Sequence, residues 1–568
     1  MRRTRALSLL LSFGAIGAHA TAQAVVLEDA ALRTTGQLLY SDFGGDVALN
    51  GSRLFVALRD AERVQVFLDS GSGYVLETEL VAPDGVDGDG FGSALASDGL
   101  TCVVGAPGHD AAGVDAGAAY VFRLGGSGTW GYEAKLLASG AQPGDQFGRS
   151  VDTIGERIAV GAPFTDGPGA ADQGRVHLFD RTGAPWSGVG SFTGPDSVGG
   201  DQFGYQVALA GHLLVVCAGT ATAGYPFSGA AYAYRDLGLG PTFEHKFTPP
   251  VLGEAFAHQI DIGGGTGSER VAFGMPYGEL DASGVVCVYD RVLGAWDAGF
   301  VCDLPYGAGL EQFGSSVALH GDRLVAGTIF DWTWSGFSGS AAVFEKNGGA
   351  WSLQLELLPS DGQYDGIFGQ SVDFDGTRVV VGAPQLSGGS NPPPSFERVY
   401  VYDQLPTRVG TAVCVGDGSV TPCPCGNDSP VGYDMGCENG FNRAANLAAS
   451  GSASVAADDL FLSVEHLTRT PGFPGYGVQA QLLAGTNLLS GMTFGDGLRC
   501  AGGMVQRIGA PQLATTGGLA WWGTGLALPA GWAPGQTLHF QVFYRDPALG
   551  GCGARINTSN ALSVTFTP

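Results

Sequence analysis

Histidines, which often carry acid–base and metal chemistry, occur singly in this sequence. None belongs to an H-E-x-x-H pair, and the chain also lacks a G-x-S-x-G elbow, a phosphate-binding loop and a dinucleotide fingerprint. Such a pattern nominates no acid–base pair, so we expect no catalysis and assign no catalytic residue. After the first 24 residues, the isolated histidines are His109, His177, His212, His245, His258, His320, His466 and His539.

Acidic residues are abundant, but they do not form a convincing metal site. Asp84, Asp87 and Asp89 resemble a calcium loop, yet such a loop needs more spaced oxygens and a terminal Glu, so an acidic turn is favoured. We therefore predict no metal site and no cofactor, apart from weak Ca²⁺ binding by the acidic surface. The net charge of -26 also argues against a nucleic-acid partner, because phosphate binding needs clustered Lys and Arg.

Six of the ten cysteines follow residue 410, and such a set in an exported chain predicts disulfides. Zinc at the compact pair Cys423 and Cys425 is the alternative, although structural zinc sites space their ligands more widely. These two cysteines should not bond to each other across a single Pro. Each is expected to pair with Cys414 or Cys437, which leaves the last two cysteines to pair with each other. Those two are Cys500 and Cys552.

The other four cysteines lie earlier in the chain. Cys287 and Cys302 are equally far from the centre of a predicted hairpin, near Gly294, so we expect them to form a disulfide across it. Two buried thiols are the alternative. Cys102 and Cys217 are predicted to stay free.

The first 24 residues are typical of an export signal. Arg2, Arg3 and Arg5 precede a short apolar run, which ends in small residues that suit a cleavage site. No later segment resembles a transmembrane span. The sequence therefore predicts a soluble mature protein that is secreted or held at the cell surface.

The elements that position these residues repeat along the chain. Each unit begins with Phe and usually Gly, continues as an alternating strand and a tight turn, and then enters a continuously apolar strand that often ends in Gly-Ala-Pro. A third strand and a more polar fourth strand complete the unit, which predicts small four-stranded antiparallel sheets. The initial phenylalanines are Phe43, Phe91, Phe147, Phe203, Phe256, Phe313 and Phe368.

These units resemble FG-GAP repeats, the blades of the integrin α-subunit β-propeller. Three units match the motif in full, at 105–107, 161–163 and 382–384, whereas the first has lost Gly-Ala-Pro and the fifth has Phe256-Ala257. The resemblance implies an all-β protein with a seven-bladed propeller over 25–404; the repeat period alone also permits a solenoid. The turns are too short for the integrin-type calcium loop. We expect residues 25–34 to close the ring by pairing with residues 398–403.

The chain beyond residue 404 has a different pattern. Residues 405–413 are predicted to be a linker, and residues 414–568 alternate apolar and polar residues between Gly, Pro and Asn turns, which indicates a disulfide-containing β-sandwich. This Cys-rich module resembles C-terminal modules of large secreted proteins from environmental bacteria. That resemblance implies no activity.

Aromatic residues in the loops after the second strand of units 4 to 6 are the predicted ligand contacts. By resemblance to integrin blades, these loops lie on the ligand face, where exposed rings suit sugars or peptides; packing over their own units is the alternative. The expected function is binding or adhesion to an extracellular protein or glycan. A polysaccharide hydrolase or lyase and a purely structural envelope role remain the alternatives. The predicted contacts are Tyr225, Tyr277, Phe330, Asp331, Trp332 and Trp334.

Overall fold

The computed structural model of the protein describes the chain with interruptions. The described residues are 24–26, 30–33, 41–181, 185–221, 228–236, 240–251, 253–254, 256–264, 269–278, 283–304, 312–330, 339–347, 349–359, 367–384, 397–403, 405, 409–418, 421–424, 426–429, 435–439, 444–467, 478–514, 520–523, 525–546 and 555–568.

The repeats fold into small antiparallel sheets, numbered here 1 to 7 in chain order, and each runs from an inner to an outer strand. Sheet 1 contains Phe43–Asn50, Arg53–Leu58, Arg63–Asp69 and Tyr74–Leu80; sheet 2 contains Ala94–Ser97, Thr101–Ala106, Ala118–Leu124 and Trp130–Leu136. Sheet 3 contains Ser150–Ile154, Arg157–Ala162, Arg175–Asp180 and Ser187–Phe192; sheet 4 contains Phe203–Ala210, Leu213–Ala218, Ala230–Asp236 and Pro241–Phe247.

The last three sheets are less regular. Sheet 5 contains Gln259–Gly263, Arg270–Met275 and Val285–Val292, with Ala295–Trp296 and Phe300–Cys302 both on its outer side. Sheet 6 contains Phe313–His320, Arg323–Thr328, Ser340–Asn347 and Ala350–Leu357; sheet 7 begins with Ser371–Phe374, Val379–Ala383 and Arg398–Tyr402. A short pair, Gly253–Glu254 with Tyr277–Gly278, and a 3₁₀ turn, Arg59–Ala61, lie outside these sheets.

Burial within a sheet follows the order predicted from sequence. The second strand is the most enclosed, as in Thr101–Ala106, where every residue is buried, whereas the outer strand Tyr74–Leu80 is mostly exposed or half-buried. Consecutive sheets contact one another through their inner strands, and the inner strand of sheet 7 contacts that of sheet 1. The architecture is therefore propeller-like.

The N-terminal residues complete the last two sheets. Ala30–Leu32 pairs antiparallel with Arg398–Tyr402, with Ala30 opposite Val401, which confirms the expected closing strand for these three residues. Residues 25 and 26 were expected in the same strand, and this part is wrong. Ala24–Val26 instead adds in parallel to the outer strand of sheet 6, with Ala24 opposite Leu355.

The Gly-Ala-Pro glycine lies against the Phe-Gly glycine of the next sheet. A Cβ atom on Gly161 would lie 2.0 Å from the carbonyl oxygen of Gly204, and Gly105 meets Gly148 in the same way. These two junctions leave no room for a side chain at the Gly-Ala-Pro position, because the two backbones touch there. Cys217 and Ala257 replace the two glycines where sheet 4 meets sheet 5, so the departures of these two units occur at one shared contact.

The C-terminal residues form two sheets that share one buried core, which includes Leu462 of the smaller sheet and Phe540 of the larger. The larger sheet contains Thr411–Val413, Ile556–Thr565, Thr537–Arg545, Gln479–Phe494 and Gly497–Leu513. The smaller sheet contains Asn446–Ser450, Phe461–Glu465 and Ala520–Trp522, and a short helix spans Ala527–Ala530. No helix in the described part of the chain is long and apolar enough to cross a bilayer.

Two disulfides lie in this C-terminal part. Cys423 bonds to Cys437, which is one of its two expected partners. Cys414 bonds to Cys500, with Cα atoms 6.1 Å apart, so the expected pairing of Cys500 with Cys552 is wrong. The reason is that the strand carrying Cys500 lies beside the segment that begins the module. Cys425 and Cys552 fall outside the described residues.

The expected disulfide in sheet 5 is also wrong. Cys287 lies opposite Val301, and Cys302 lies opposite Val286, so the two cysteines are offset by one residue. Neighbouring residues of a strand point to opposite faces, and the two thiols accordingly belong to different hydrophobic clusters. Both are buried free thiols, as are Cys102 and Cys217.

Candidate functional site: the axial cavity

Most of the predicted aromatic contacts cannot be placed. Tyr225, Asp331, Trp332 and Trp334 lie outside the described residues. Tyr277 is 43% exposed in the short strand opposite Glu254. The sixth predicted residue, Phe330, is half-buried just after the second strand of sheet 6. The predicted loop surface is therefore described only at these two positions.

A different set of polar residues meets at the centre of the ring. The inner strands enclose a cavity of about 520 Å³. Several of its polar lining residues occupy one repeat position, two residues after the initial Phe, which places them at the same level of the cavity. The sequence carries this signal, although the residue type at the position changes from unit to unit. These residues are Ser93, Arg149, Tyr205, His258 and Gln370.

Arg149 is the cation that stands out in this cavity. Its guanidinium lies over the Tyr205 ring, 4.9 Å from the centroid, and Nη2 donates a hydrogen bond of 3.2 Å to the Tyr205 hydroxyl. Within the described part of the chain, no carboxylate lies at ion-pair distance from Arg149. By contrast, Arg59, the other cation of the lining, contacts Asp42 at 3.2 Å. Arg149 thus presents a positive charge that the described chain leaves uncompensated.

His258 adjoins this pair, with its ring 6.1 Å from that of Tyr205. Burial lowers the pKa of His258, and the charge of Arg149 lowers it further. The imidazole is therefore neutral at neutral pH. Its Nδ1 atom is buried and has no hydrogen-bond partner among the described residues. A ligand group that donates or accepts a hydrogen bond would satisfy it.

Four half-buried aspartates also line the cavity, and each links two sheets. Asp152 accepts hydrogen bonds from the Thr153 amide at 2.7 Å and, across the junction, from the Leu209 amide at 2.6 Å. The same arrangement joins other neighbouring sheets through Asp46 with Leu95, Asp261 with Leu319, and Asp373 with Leu49. The last of these links sheet 7 to sheet 1.

Burial dominates the titration of these carboxyl groups. It raises the pKa of Asp46, Asp152 and Asp373 to about 7 and that of Asp261 to about 6, against the opposing effect of the backbone amides. Shifted acids often mark active sites. Here, however, each side chain already accepts two backbone hydrogen bonds, so its oxygens are committed to holding the sheets together. No group of three metal-binding side chains is found among the described residues.

The comparisons with known proteins agree with this repeat architecture. A family model described as FG-GAP repeat matches residues 74–122, 130–179, 186–234 and 351–402. The protein contains FG-GAP repeats. Each matched FG-GAP segment starts at the outer strand of one sheet and ends in the third strand of the next, so the family unit spans two sheets.

Solved structures with similar folds are remote in sequence. One is titled Kuenenia stuttgartiensis hydrazine synthase, with a TM-score of 0.40 and 12% identity over 69% of this chain and 99% of that chain. Another is titled virginiamycin B lyase from Staphylococcus aureus, with a TM-score of 0.38 and 9% identity over 65% of this chain and 98% of that chain. The comparison with curated proteins gives no match.

Proposed function

We propose that this FG-GAP repeat protein is an extracellular binding or adhesion protein, and that its seven sheets are the blades of one closed propeller. Two observations support closure. The inner strand of each sheet contacts that of the next, and the Leu49 amide donates a hydrogen bond to Asp373 across the junction between sheets 7 and 1. Two disulfides suit an oxidising compartment outside the cytoplasm. Residues 1–24 serve as the export signal, and the exported protein is secreted or held at the cell surface.

The ligand is an extracellular protein or glycan that enters the axial cavity with an anionic group. The observation that carries this proposal is Arg149, a cation on an aromatic ring without an ion pair in the described chain. The protein as a whole is strongly acidic, so an arginine whose positive charge has no ion-pair partner in the described chain contrasts with its overall charge. A guanidinium suits carboxylate and sulfate groups because it presents a planar set of donors.

Catalysis is not part of the proposal. Among the described lining residues, no histidine hydrogen bonds to a carboxylate, and the inner aspartates accept hydrogen bonds from backbone amides. No cofactor is proposed beyond weak Ca²⁺ binding to the acidic surface. If the purified chain released reducing ends or unsaturated sugars from an acidic polysaccharide, the alternative of a hydrolase or lyase would replace binding.

An array of neutral and acidic glycans, probed with the full chain, tests the binding function. We expect acidic glycans to bind, and Arg149→Ala to weaken them more than tenfold, about 1.4 kcal/mol, without changing the melting temperature. Arg507→Ala is the matched control, because Arg507 is exposed in the C-terminal module. Equal losses in both variants, or a preference for neutral glycans, would contradict the role given to the cavity.

A further inference from the structure

Five of the clefts between neighbouring sheets are closed by aromatic rings of the chain itself. The ring comes from the residue at the start of the outer strand, which lies opposite or next to the last residue of the third strand, and it packs against the preceding sheet. This position is called the plug position below. Its aromatic occupants are Tyr74, Trp130, Trp186, Trp296 and Trp351.

Contacts of these rings show how the clefts are filled. Trp130 meets Phe55 of sheet 1, with ring centroids 5.2 Å apart, and Trp296 meets Phe247 of sheet 4 at 5.0 Å. Trp186 packs into the core of sheet 2 and donates its indole N–H to Glu133 at 3.0 Å. Each ring thus closes the cleft towards the preceding sheet.

An arginine at the start of a second strand accompanies two of the rings. The Arg270 guanidinium of sheet 5 lies 4.9 Å from the centroid of Trp351 in sheet 6. Arg378 of sheet 7 donates to the hydroxyl of Tyr74 in sheet 1 at 3.0 Å. The arginine therefore contacts an aromatic residue in both clefts, through a cation–π contact with Trp351 and through a hydrogen bond to the Tyr74 hydroxyl.

The cleft between sheets 3 and 4 has the arginine but no ring. Pro241 occupies the plug position, opposite Asp236, and the cleft is an open cavity of about 650 Å³. Arg157 of sheet 3 corresponds to Arg270 and lines this cavity. Its guanidinium donates to Asp180 at 2.7 Å and also to Asp236, so it is held in place at the cavity wall.

The remaining walls suit a flat ring with one polar atom. Phe192 and Tyr234 line the cavity with ring centroids 4.8 Å apart. Tyr234 is only 4% exposed, yet its hydroxyl has no hydrogen-bond partner among the described residues. Val189 and Phe243, also in the lining, are 52% and 44% exposed. Such exposure of apolar groups at an open cleft indicates a binding surface.

We propose that this cleft binds the Trp or Tyr side chain of an extended segment of a partner protein. The inserted ring takes the place that the chain's own rings take in the other clefts. It lies beside Arg157 and supplies a polar atom to the Tyr234 hydroxyl. The site is separate from the axial cavity, so it goes beyond the binding function proposed above.

The adjoining outer strand favours an extended partner. Ser187–Phe192 is the outer strand of sheet 3 and is exposed at five of its six positions. Gly188 and Gly190 have no side chains that would keep another strand away from it. In sheet 6 the corresponding strand already accepts an added strand, because Ala24–Val26 pairs with it. Strand addition of this kind gives backbone hydrogen bonds, while the inserted side chain gives specificity.

A peptide copied from the chain tests the proposal. The probe is a synthetic peptide with the sequence of residues 127–136, SGTWGYEAKL, whose Trp fills the cleft between sheets 1 and 2. Titration calorimetry with the full protein is expected to show binding, and a peptide with Ala in place of Trp is expected to bind at least tenfold more weakly. Equal binding of the two peptides, or no binding of either, would overturn the proposal.

Two variants locate the site. Pro241→Trp should fill the cleft, abolish peptide binding and raise the melting temperature by a few degrees, whereas Thr242→Trp, which adds the same ring at the next, exposed position, should keep the binding. Should Pro241→Trp fail to fold, Phe243→Ala serves instead, and it should weaken the peptide at least fivefold with an unchanged melt. Full binding by Phe243→Ala or by a folded Pro241→Trp would refute the site.

Other occupants give different results. A glycan that competes with the peptide, or a dimer of the protein that Pro241→Trp dissociates, would replace the partner segment as the occupant and overturn this assignment. Binding of acidic glycans through Arg149 should be the same in Pro241→Trp and in the unmodified protein. Failure of one site can therefore be told apart from failure of the other.

Discussion

Neighbouring sheets contact each other in different ways at their inner strands and at their outer clefts. At the inner junctions, neighbouring sheets touch backbone to backbone, as Gly161 does with Gly204, and half-buried aspartates accept hydrogen bonds from amides of the next sheet. At the outer clefts, a single side chain fills the space between two sheets, such as Trp351 beside Arg270. Contacts between inner strands thus depend on the path of the backbone, whereas contacts across an outer cleft depend on the residue type at one position.

This difference explains where the repeats vary. The inner glycines are replaced at two junctions, by Cys217 and Ala257 between sheets 4 and 5, and by Ala57 alone, opposite Gly92, between sheets 1 and 2. An outer ring can be lost alone, as at Pro241, and the consequence is a cavity rather than a broken sheet. Substitutions at inner positions should therefore damage the fold, and substitutions at outer positions should alter binding or cause small changes in stability.

The largest effect is expected at the inner glycine contact. Gly161→Val would drive a side chain into the Gly204 carbonyl and should cost more than about 4 kcal/mol or prevent folding. Gly131→Val in an outer strand is the matched control, because nothing lies within 4 Å of its Cβ position. Chemical denaturation measures both. Comparable losses in the two variants would abolish the distinction between inner and outer positions.

A smaller loss of unfolding free energy is expected when an inner aspartate is replaced. Asp152→Ala leaves the Thr153 and Leu209 amides without their acceptor, which should cost about 2–3 kcal/mol at pH 5. Asp98→Ala is the control, since Asp98 bonds to amides of an exposed turn within one sheet. A larger effect of the control in the same denaturation experiment would show that the inter-sheet bonds add little.

The inner aspartates also predict a dependence on pH. Their pKa in the folded protein, about 7 for three of them and about 6 for Asp261, lies above the ordinary value of 3.8, so the folded state binds more protons than the unfolded state between these values. The contribution of these aspartates to stability should therefore be greatest below about pH 4 and fall as the pH rises to about 7. Asp152→Asn should reduce the loss between pH 5 and pH 8 by about 1–2 kcal/mol. A slope unchanged by the substitution would contradict the assignment to this group.

The smallest effect is expected for an ion pair in an outer part of sheet 1. Arg53 contacts Glu77 at 2.7 Å, and both side chains retain some exposure. Arg53→Gln should cost about 0.5 kcal/mol, because solvent and salt screen such pairs. The melting temperature measured at low and high salt checks this, and the difference from the unmodified protein should shrink as salt is added.

The repeats could be predicted from the sequence because each element has a local signal. The alternating strand, the tight turn and the Gly-Ala-Pro end recur at a nearly constant spacing, and the unpaired last unit pointed to the N-terminal strand that includes Ala30. Local patterns did not determine cross-strand register. A shift of one residue placed Cys287 and Cys302 on opposite faces, and hairpin symmetry alone does not fix that register.

The axial and cleft residues were harder to predict for a related reason. Arg149, Tyr205 and His258 share a repeat position but not a residue type, so they become one site only when the ring brings the inner strands together. Pro241 is likewise informative only beside the aromatic residues at the same position in other units. Both signals appear when the units are aligned with one another rather than considered one at a time.

The closing strand is synthesised long before the strand with which it pairs. Ala30–Leu32 is made early, yet its partner Arg398–Tyr402 emerges only after all the intervening sheets. Until then the first strand has no place to pair, and the ring stays open. Closure is consequently a late event that joins distant ends, and contacts of this kind slow folding. While the chain emerges from the ribosome, the sheets therefore form an incomplete ring until residue 402 is available for pairing.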